Sequence, residues 1–430
     1  MVVSCIEDHF LTLDFQHSAL QKFTSNVQKI KPANLFDFFL VVLFSLSLIT
    51  SKAGLYISSA LLLVRFIHLV LTGSISWIKI KKTPHYYMPF LIYSSGVVLC
   101  IISGNSINDL TEYARKGAMI LAIPALSYLF QLSENRIAAI SAIGFGVFLS
   151  TLNISIKIVE SGWSGERLSA FFDLGRSGEI LGYVIAFFIP FIYSKNKKII
   201  YFSIPIIIAS TVMLLINGAR APLLALLILI PIYLVVKRRI NFFHLILISI
   251  IAIVGLNQTA PKILNDISNR IQSISNIHTD PSNIARLKMW ETSFGFFKEN
   301  LSSSPRDAIF GTGSYSFNEK YMEYLESKYS IESISTTTRF QFSYNDSHNM
   351  YLGLLNKHGI IYFLILAIGF LGAFLSIQSS NPLRDNISLV LFSFLIIGFF
   401  YTSYMDFQTS FIYFAIALIS SRSFEEKIHD

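Results

Sequence analysis

Charge is scarce in this sequence. Of its 430 residues only 14% are Asp, Glu, Lys or Arg, where an ordinary soluble domain has about a quarter. That shortage excludes a water-soluble fold. A chain 53% hydrophobic would still have to show much of its surface to solvent, with too few polar side chains to cover it. Cysteine is almost absent as well. Cys5 and Cys100 lie far apart in the chain and fit neither a disulfide scaffold nor a thiolate metal site. No HExxH occurs, the loops assigned below to the outer face hold no paired-acid motif, and Asp109, Asp173 and Asp406 are isolated in sequence, so no metal is expected. No GxxxxGK[ST] loop is present, which removes the basis for ATP use, and no cofactor is expected. There is no internal repeat and no low-complexity tail.

What the chain has in abundance is long apolar runs. They predict spans near 35–51, 54–75, 87–104, 117–132, 137–156, 178–194, 199–216, 220–236, 241–256, 359–377, 387–404 and 408–420. A backbone in lipid must satisfy its own hydrogen bonds, and runs of this length do so as helices. They are too long and too continuously apolar for barrel strands. The fold expected is an all-α polytopic integral membrane protein of about twelve transmembrane helices. Residues 1–34 are mixed and polar, and no small-residue cleavage pattern follows the first run, so that span is expected to be retained.

The formal net charge of +8 might suggest nucleic acid, but its placement argues against that partner. Lys and Arg gather in short clusters between apolar runs, at Lys79/Lys81/Lys82, Lys195/Lys197/Lys198 and Lys237/Arg238/Arg239. This is the pattern of cytoplasmic loops. With both termini inside, Arg136 and Arg384 join these clusters. The other side holds fewer cations, mainly Lys52, Arg115, Lys116, Lys157, Arg167 and Arg176. The expected organisation is a cytoplasmic segment 1–34, helices one to nine in 35–256, an extracytoplasmic loop domain 257–350, helices ten to twelve in 351–420 and a cytoplasmic tail 421–430. Within the loop, 283–300 places Ile284, Leu287, Trp290/Glu291, Phe294 and Phe297 at helical spacing, an amphipathic helix. GTGSYSF (311–317) reads as a glycine-rich turn, 318–331 as a short helix and 332–347 as irregular.

Three side chains stand out at the outer face. Arg220, in NGARAPLLAL, is either a snorkelling cation or a fixed grip for phosphate. Arg286 precedes Trp290 by four residues, so both leave one helical face. It is either a solvated helix arginine or a second guanidinium beside Arg220. His348, in NDSHNMY, can accept a proton from a hydroxyl or serve as a structural hydrogen-bonding group. His358 is the weaker candidate of the two histidines. Asn349 either caps the next helix or orients His348. Arg167 and Arg176 are candidates for contact with phosphates or acceptor, with ordinary solvation the alternative. Glu179 has the spacing to pair with Arg176.

The segments GARAPLLAL (218–226), ARLKMW (285–290), FGTGSYSF (310–317) and SHNMYLGLLNKHGI (347–360) resemble the bacterial O-antigen ligase and polymerase superfamily, closer to the ligases. The resemblance implies transfer of a glycan from undecaprenyl diphosphate to an acceptor hydroxyl at the periplasmic face of the inner membrane, with neither metal nor nucleotide. In a ligase the acceptor is lipid A-core; in a polymerase it is another lipid-linked glycan. It further implies that Arg220 and Arg286 hold the donor diphosphate and that His348 activates the acceptor; Arg167, Arg176, Trp290 and Asn349 are, from the reading of the residues, the candidate substrate-binding residues. Ala219-Arg220-Ala221 stands where family members often have Ser-Arg-Gly. A transporter of the same lipid-linked sugars is the reading from a different class. It calls for broken, charged helices in related halves, and the sequence shows no such halves.

Overall fold

The computed structural model describes residues 32–163, 165–237 and 280–420. The expected ninth span (241–256), the loop up to residue 279, the N-terminal segment through residue 31 and the tail 421–430 lie outside the described residues.

The described chain is helical throughout. It runs α1 (Pro32–Thr50), α2 (Lys52–Leu71), α3 (Trp77–Lys82), α4 (Pro84–Ile102), α5 (Ile107–Gly117), α6 (Ala122–Leu129), α7 (Ser133–Ser161), α8 (Leu174–Phe188), α9 (Lys197–Asn217) and α10 (Arg220–Val236). After the break come α11 (Pro281–Ser303), α12 (Pro305–Phe310), α13 (Ser316–Lys328), α14 (Ile331–Thr337), α15 (Met350–Leu375), α16 (Arg384–Ile397) and α17 (Ser410–Ala417). Among the described residues, 6 helices are long and apolar enough to cross a membrane: Lys52–Leu71, Pro84–Ile102, Ser133–Ser161, Leu174–Tyr193, Lys197–Asn217 and Met350–Leu375. Leu35–Thr50, Arg220–Val236 and Phe407–Ala417 are shorter apolar helices. Their exposed side chains are apolar, as at Val64, Phe148, Ile208, Leu227 and Ile368, which suits contact with lipid rather than water. The protein is therefore an all-α polytopic membrane protein.

Two expected spans take a different form. The run 117–132 is divided. A capping box between Ser106 and Asp109 starts α5, which stops at Gly117, and a 3-10 turn at Ala118–Leu121 leads into α6. Pro124 falls in the first turn of α6, where its missing N–H costs no helical bond. The run 387–404 is helical only to Ile397, and residues 398–406 form a non-helical strip. Further differences lie in the extramembrane part. Ser330 accepts a bond from the Ser333 N–H and starts α14 inside a stretch expected to be irregular. α11 buries Ala285, Met289, Thr292 and Phe296, while Leu287 and Phe294 are exposed. Its buried face is thus turned from the one expected, because it packs against α13 on one side and α15 on the other. Phe296, Phe317, Tyr321 and Leu325 close a small core between α11 and α13.

The helix paths separate two ends of the bundle. α8 starts beside Arg176 and leads to Lys195, Lys197 and Lys198; α9 returns to Asn217; α10 starts at Arg220 and ends at Lys237. Lys237 pairs with Asp385 at 2.7 Å, at the start of α16, which leads back toward the 398–406 strip. Arginines 176 and 220 therefore share one end, and the lysine clusters lie at the other.

α15 is kinked. Gly359 sits inside it with φ 78° and ψ 172°, a conformation open to glycine and costly for other residues. The glycine-rich turn fills this kink, with the Thr312 and Gly313 N–H groups donating to the carbonyls of Asn356 and Lys357, both at 3.0 Å. A Cβ on Gly311 would collide with the His358 backbone. Two glycines thus let the turn and the kink meet main chain to main chain, and the carbonyls left by the kink are satisfied.

Candidate functional site: an arginine cluster beside a histidine

The site lies where the ends of α8, α9 and α10 meet α11, the start of α15 and the 398–406 strip. Asp173 caps α8 and pairs with Arg176 at 2.6 Å; Asp406 holds the same guanidinium through Nε at 2.9 Å and Nη2 at 2.7 Å. Arg176 thus straps α8 to the strip. Glu179, read from its spacing as a partner for Arg176, instead accepts bonds from Ser403 and, at 3.5 Å, from Tyr183. The correction has a simple cause: two better placed aspartates, one from 230 residues away, take up the arginine.

Arg167 donates to the Asn217 carbonyl at 2.8 Å, just before Gly218 ends α9 in a left-handed turn. Two residues on, Arg220 is the first residue of α10 and reaches Asp280 at 3.2 Å. Asp280 also caps α11, accepting from the Asn283 N–H at 3.1 Å. Arg286 follows on the second turn of that helix. The charges of Arg167 and Arg220 both bear on Arg286 and on Tyr401, so the three guanidiniums gather around one phenol. Burial holds Arg286 below the usual arginine range; Tyr401 and Asp280 oppose the shift, and Arg220 and Arg167 add to it. Among the described residues no carboxylate forms an ion pair with Arg286. A half-buried cation in that position, with like charges for neighbours, is costly unless an anion joins it.

His348 joins this group from the other side. Trp290, one turn beyond Arg286, donates to its carbonyl at 3.4 Å and packs its ring 6.0 Å from Phe400. The His348 backbone has φ 45°, a left-handed conformation for a residue with a side chain, and such strain gathers at functional sites. Asp346 holds it there, accepting from the His348 N–H at 3.1 Å and from the Thr402 hydroxyl. Among the described residues the imidazole nitrogens make no hydrogen bond. Burial depresses the His348 pKa, Asp346 opposes this and Arg286 reinforces it. Asn349 has its amide committed to the backbone. Its Oδ1 caps α15 through Tyr351 and Leu352, both at 3.0 Å, and its Nδ2 donates to Phe399 at 3.2 Å. His358 is buried in α15 among Tyr113, Tyr362 and Tyr404, away from this group.

Tyr401, Ser403 and Asp280 are absent from the residues picked by sequence. The strip carrying the first two is nearly as apolar as the helix before it, although YTSYMD (401–406) is the only polar patch in that stretch. Among the described residues no group of three or more His, Cys, Asp or Glu side chains is placed to hold a metal ion.

Beginning at Met350 and Tyr351, directly after His348, an apolar cavity of about 640 Å³ runs between α4, α15, α16 and α17. It reaches Gly372 and Ser376 near the other end of α15, and His85 and Met88 on α4.

A cluster of guanidiniums at one rim of an apolar helical bundle thus stands beside an unengaged imidazole, with an apolar cavity leading away. Residues 204–367 match the family described as O-Antigen ligase, and it is to this family that the second half of the chain is similar. The matched segment contains Arg220, Arg286 and His348, while Arg167, Arg176 and Tyr401 lie outside it. A comparison with curated proteins gives no match.

Proposed function

We propose that the protein is an O-antigen ligase-like glycosyltransferase, moving a glycan from undecaprenyl diphosphate to a hydroxyl of lipid A-core at the periplasmic face of a bacterial inner membrane. The observation that carries this reading is Arg286, half-buried and without a carboxylate partner among the described residues, next to Arg167, Arg220 and His348. Such a cluster suits a diphosphate. The lysine clusters at the opposite end of the same helices favour the cytoplasm there, which puts the arginines outside, with twelve spans and both termini inside.

In the proposed reaction the acceptor hydroxyl oxygen attacks the anomeric carbon of the donor sugar. His348 takes the hydroxyl proton, the bond from that carbon to the diphosphate oxygen breaks, and the diphosphate leaves with the electron pair. Arg286, Arg220 and Arg167 stabilise the charge it acquires. Direct displacement inverts the anomeric configuration. Guanidiniums supply the charge neutralisation that a divalent cation would otherwise bring, so transfer is expected to need no metal.

The test is glycan analysis of a strain lacking the protein. Loss of attachment to lipid A-core, with long chains retained on the carrier lipid, supports the ligase. Single repeat units attached to core would identify a polymerase instead, and unchanged glycans would remove the proposal.

The cavity suits the carrier's polyprenyl chain. Gly372 lines the cavity and a Cβ on it meets nothing within 4 Å, so Gly372→Phe adds bulk to the groove with no clash at its point of attachment. The expected result is about a tenfold rise in KM for a long-chain donor, the equivalent of losing roughly two buried CH₂ groups. A donor on a two-isoprene carrier should be unaffected. Equal effects on both donors would show that the groove does not hold the chain.

A further inference from the structure

Arg220 and Arg286 come from helices 60 residues apart in sequence at the point where they are joined, and one side chain makes that join. Asp280 divides its two oxygens between them. Oδ1 accepts from the Asn283 N–H at 3.1 Å and so caps the helix that carries Arg286; Oδ2 takes Arg220 Nη1 at 3.2 Å. The carboxylate is largely shielded, its side chain 15% exposed against 30% for Arg220. Its placement answers an electrostatic difficulty. Arg220 is itself the first residue of α10, and it lies against the first turn of α11. Two helix N-termini and a guanidinium thus meet, and both helix ends repel a cation. Without a negative group at this point Arg220 would swing into solvent. With one, a single Nη is engaged, and among the described residues Nε and Nη2 make no hydrogen bond and remain for a ligand.

We propose that Asp280 is a positioning residue which fixes Arg220 against α11, so that Arg220 and Arg286 present one preformed cradle to a diphosphate. This rests on the proposed role of that cluster. Asp280 does not touch the ligand; it acts through Arg220, and its capping oxygen makes the spacing between the two guanidiniums a property of one carboxylate.

The two oxygens can be separated by substitution. Asp280→Asn retains a competent cap, since Asn caps helices as well as Asp, but loses the charge that holds Arg220. Asp280→Ala loses both. The measurement is calorimetric binding of inorganic pyrophosphate to the purified full-length protein in detergent, alongside thermal unfolding. Asp280→Asn is expected to weaken pyrophosphate binding about tenfold with little change in the unfolding midpoint. In the double variant with Arg220→Ala, it should add nothing to the loss from Arg220→Ala alone. Asp280→Ala is expected to weaken binding and lower the midpoint.

If Asp280→Asn binds pyrophosphate like the unmodified protein while only Asp280→Ala fails, the residue is a helix cap and the inference is wrong. Tighter binding by Asp280→Asn would also overturn it, by showing that the carboxylate competes with the ligand. No pyrophosphate binding by the unmodified protein would instead count against the diphosphate reading of the whole cluster. That outcome is distinct from both others.

Discussion

Arg286→Ala is expected to lower the transfer rate by about 10²–10³ while leaving the protein inserted and no less stable. The rate loss is the usual size for removing one fixed donor from the place where charge develops in the transition state. The stability side follows from the environment. Arg286 is desolvated, its neighbouring cations Arg220 and Arg167 disfavour its charge, and no carboxylate among the described residues pairs with it. Removing such a group relieves a cost that the empty site bears. An ordinary surface or core arginine would behave differently, losing packing or a salt bridge with no effect on chemistry. The check is a paired measurement of transfer with a purified lipid-linked donor and of the thermal unfolding midpoint in the same detergent. Near-normal transfer by a well-folded Arg286→Ala protein would end the proposed role.

His348→Ala should cost about 10²–10⁴ in rate, the range for loss of a positioned general base, and the pH profile of the unmodified protein should identify that base. A base works in its neutral form and stops working as pH falls through its own pKa. Burial pulls the His348 pKa below the ordinary 6.5, against the opposing effect of Asp346 and with Arg286 adding to the pull. The imidazole is therefore neutral and competent at pH 7, and the acid limb of kcat/KM should lie below pH 6.5. A limb centred above that value, or a His348→Ala protein keeping more than a tenth of the rate, would assign the proton transfer elsewhere.

Much of this site can be read from the sequence because charge is rare in it. In a chain where lipid excludes polar groups, an arginine on the side opposite the lysine clusters needs a reason, and Arg220 and Arg286 are conspicuous for that cause. His348 is visible because it ends a polar loop. The strip 398–406 is hidden. Its aromatic residues keep the hydropathy of a helix, and what breaks the helix is tertiary: Asn349 donates to the Phe399 carbonyl, Asp346 takes the Thr402 hydroxyl and Arg176 takes Asp406. Non-helical backbone at this depth is tolerated when protein groups satisfy it, and those groups come from 50 to 230 residues away. Asp280 escapes notice for a related reason. From its sequence it is an ordinary helix cap before Pro281, and only the return of α10 gives its second oxygen a partner. The buried face of α11 depends likewise on having two neighbours, so apolar spacing alone finds Phe297 but also selects the exposed Leu287 and Phe294.

The meeting of the Gly359 kink with the 311–313 turn sets which parts of the site are bonded together. Main-chain bonds weld α12 to the middle of α15, and the Asn356 amide adds a bond to the Ser293 carbonyl of α11 at 3.0 Å. Arg286, Trp290 and His348 are therefore linked through these bonds and through the Trp290 contact with the His348 carbonyl. In the proposed reaction the phosphate grip of Arg286 and the base His348 would therefore stand on one connected frame before any ligand arrives, and Asp280 ties Arg220 to the same helix.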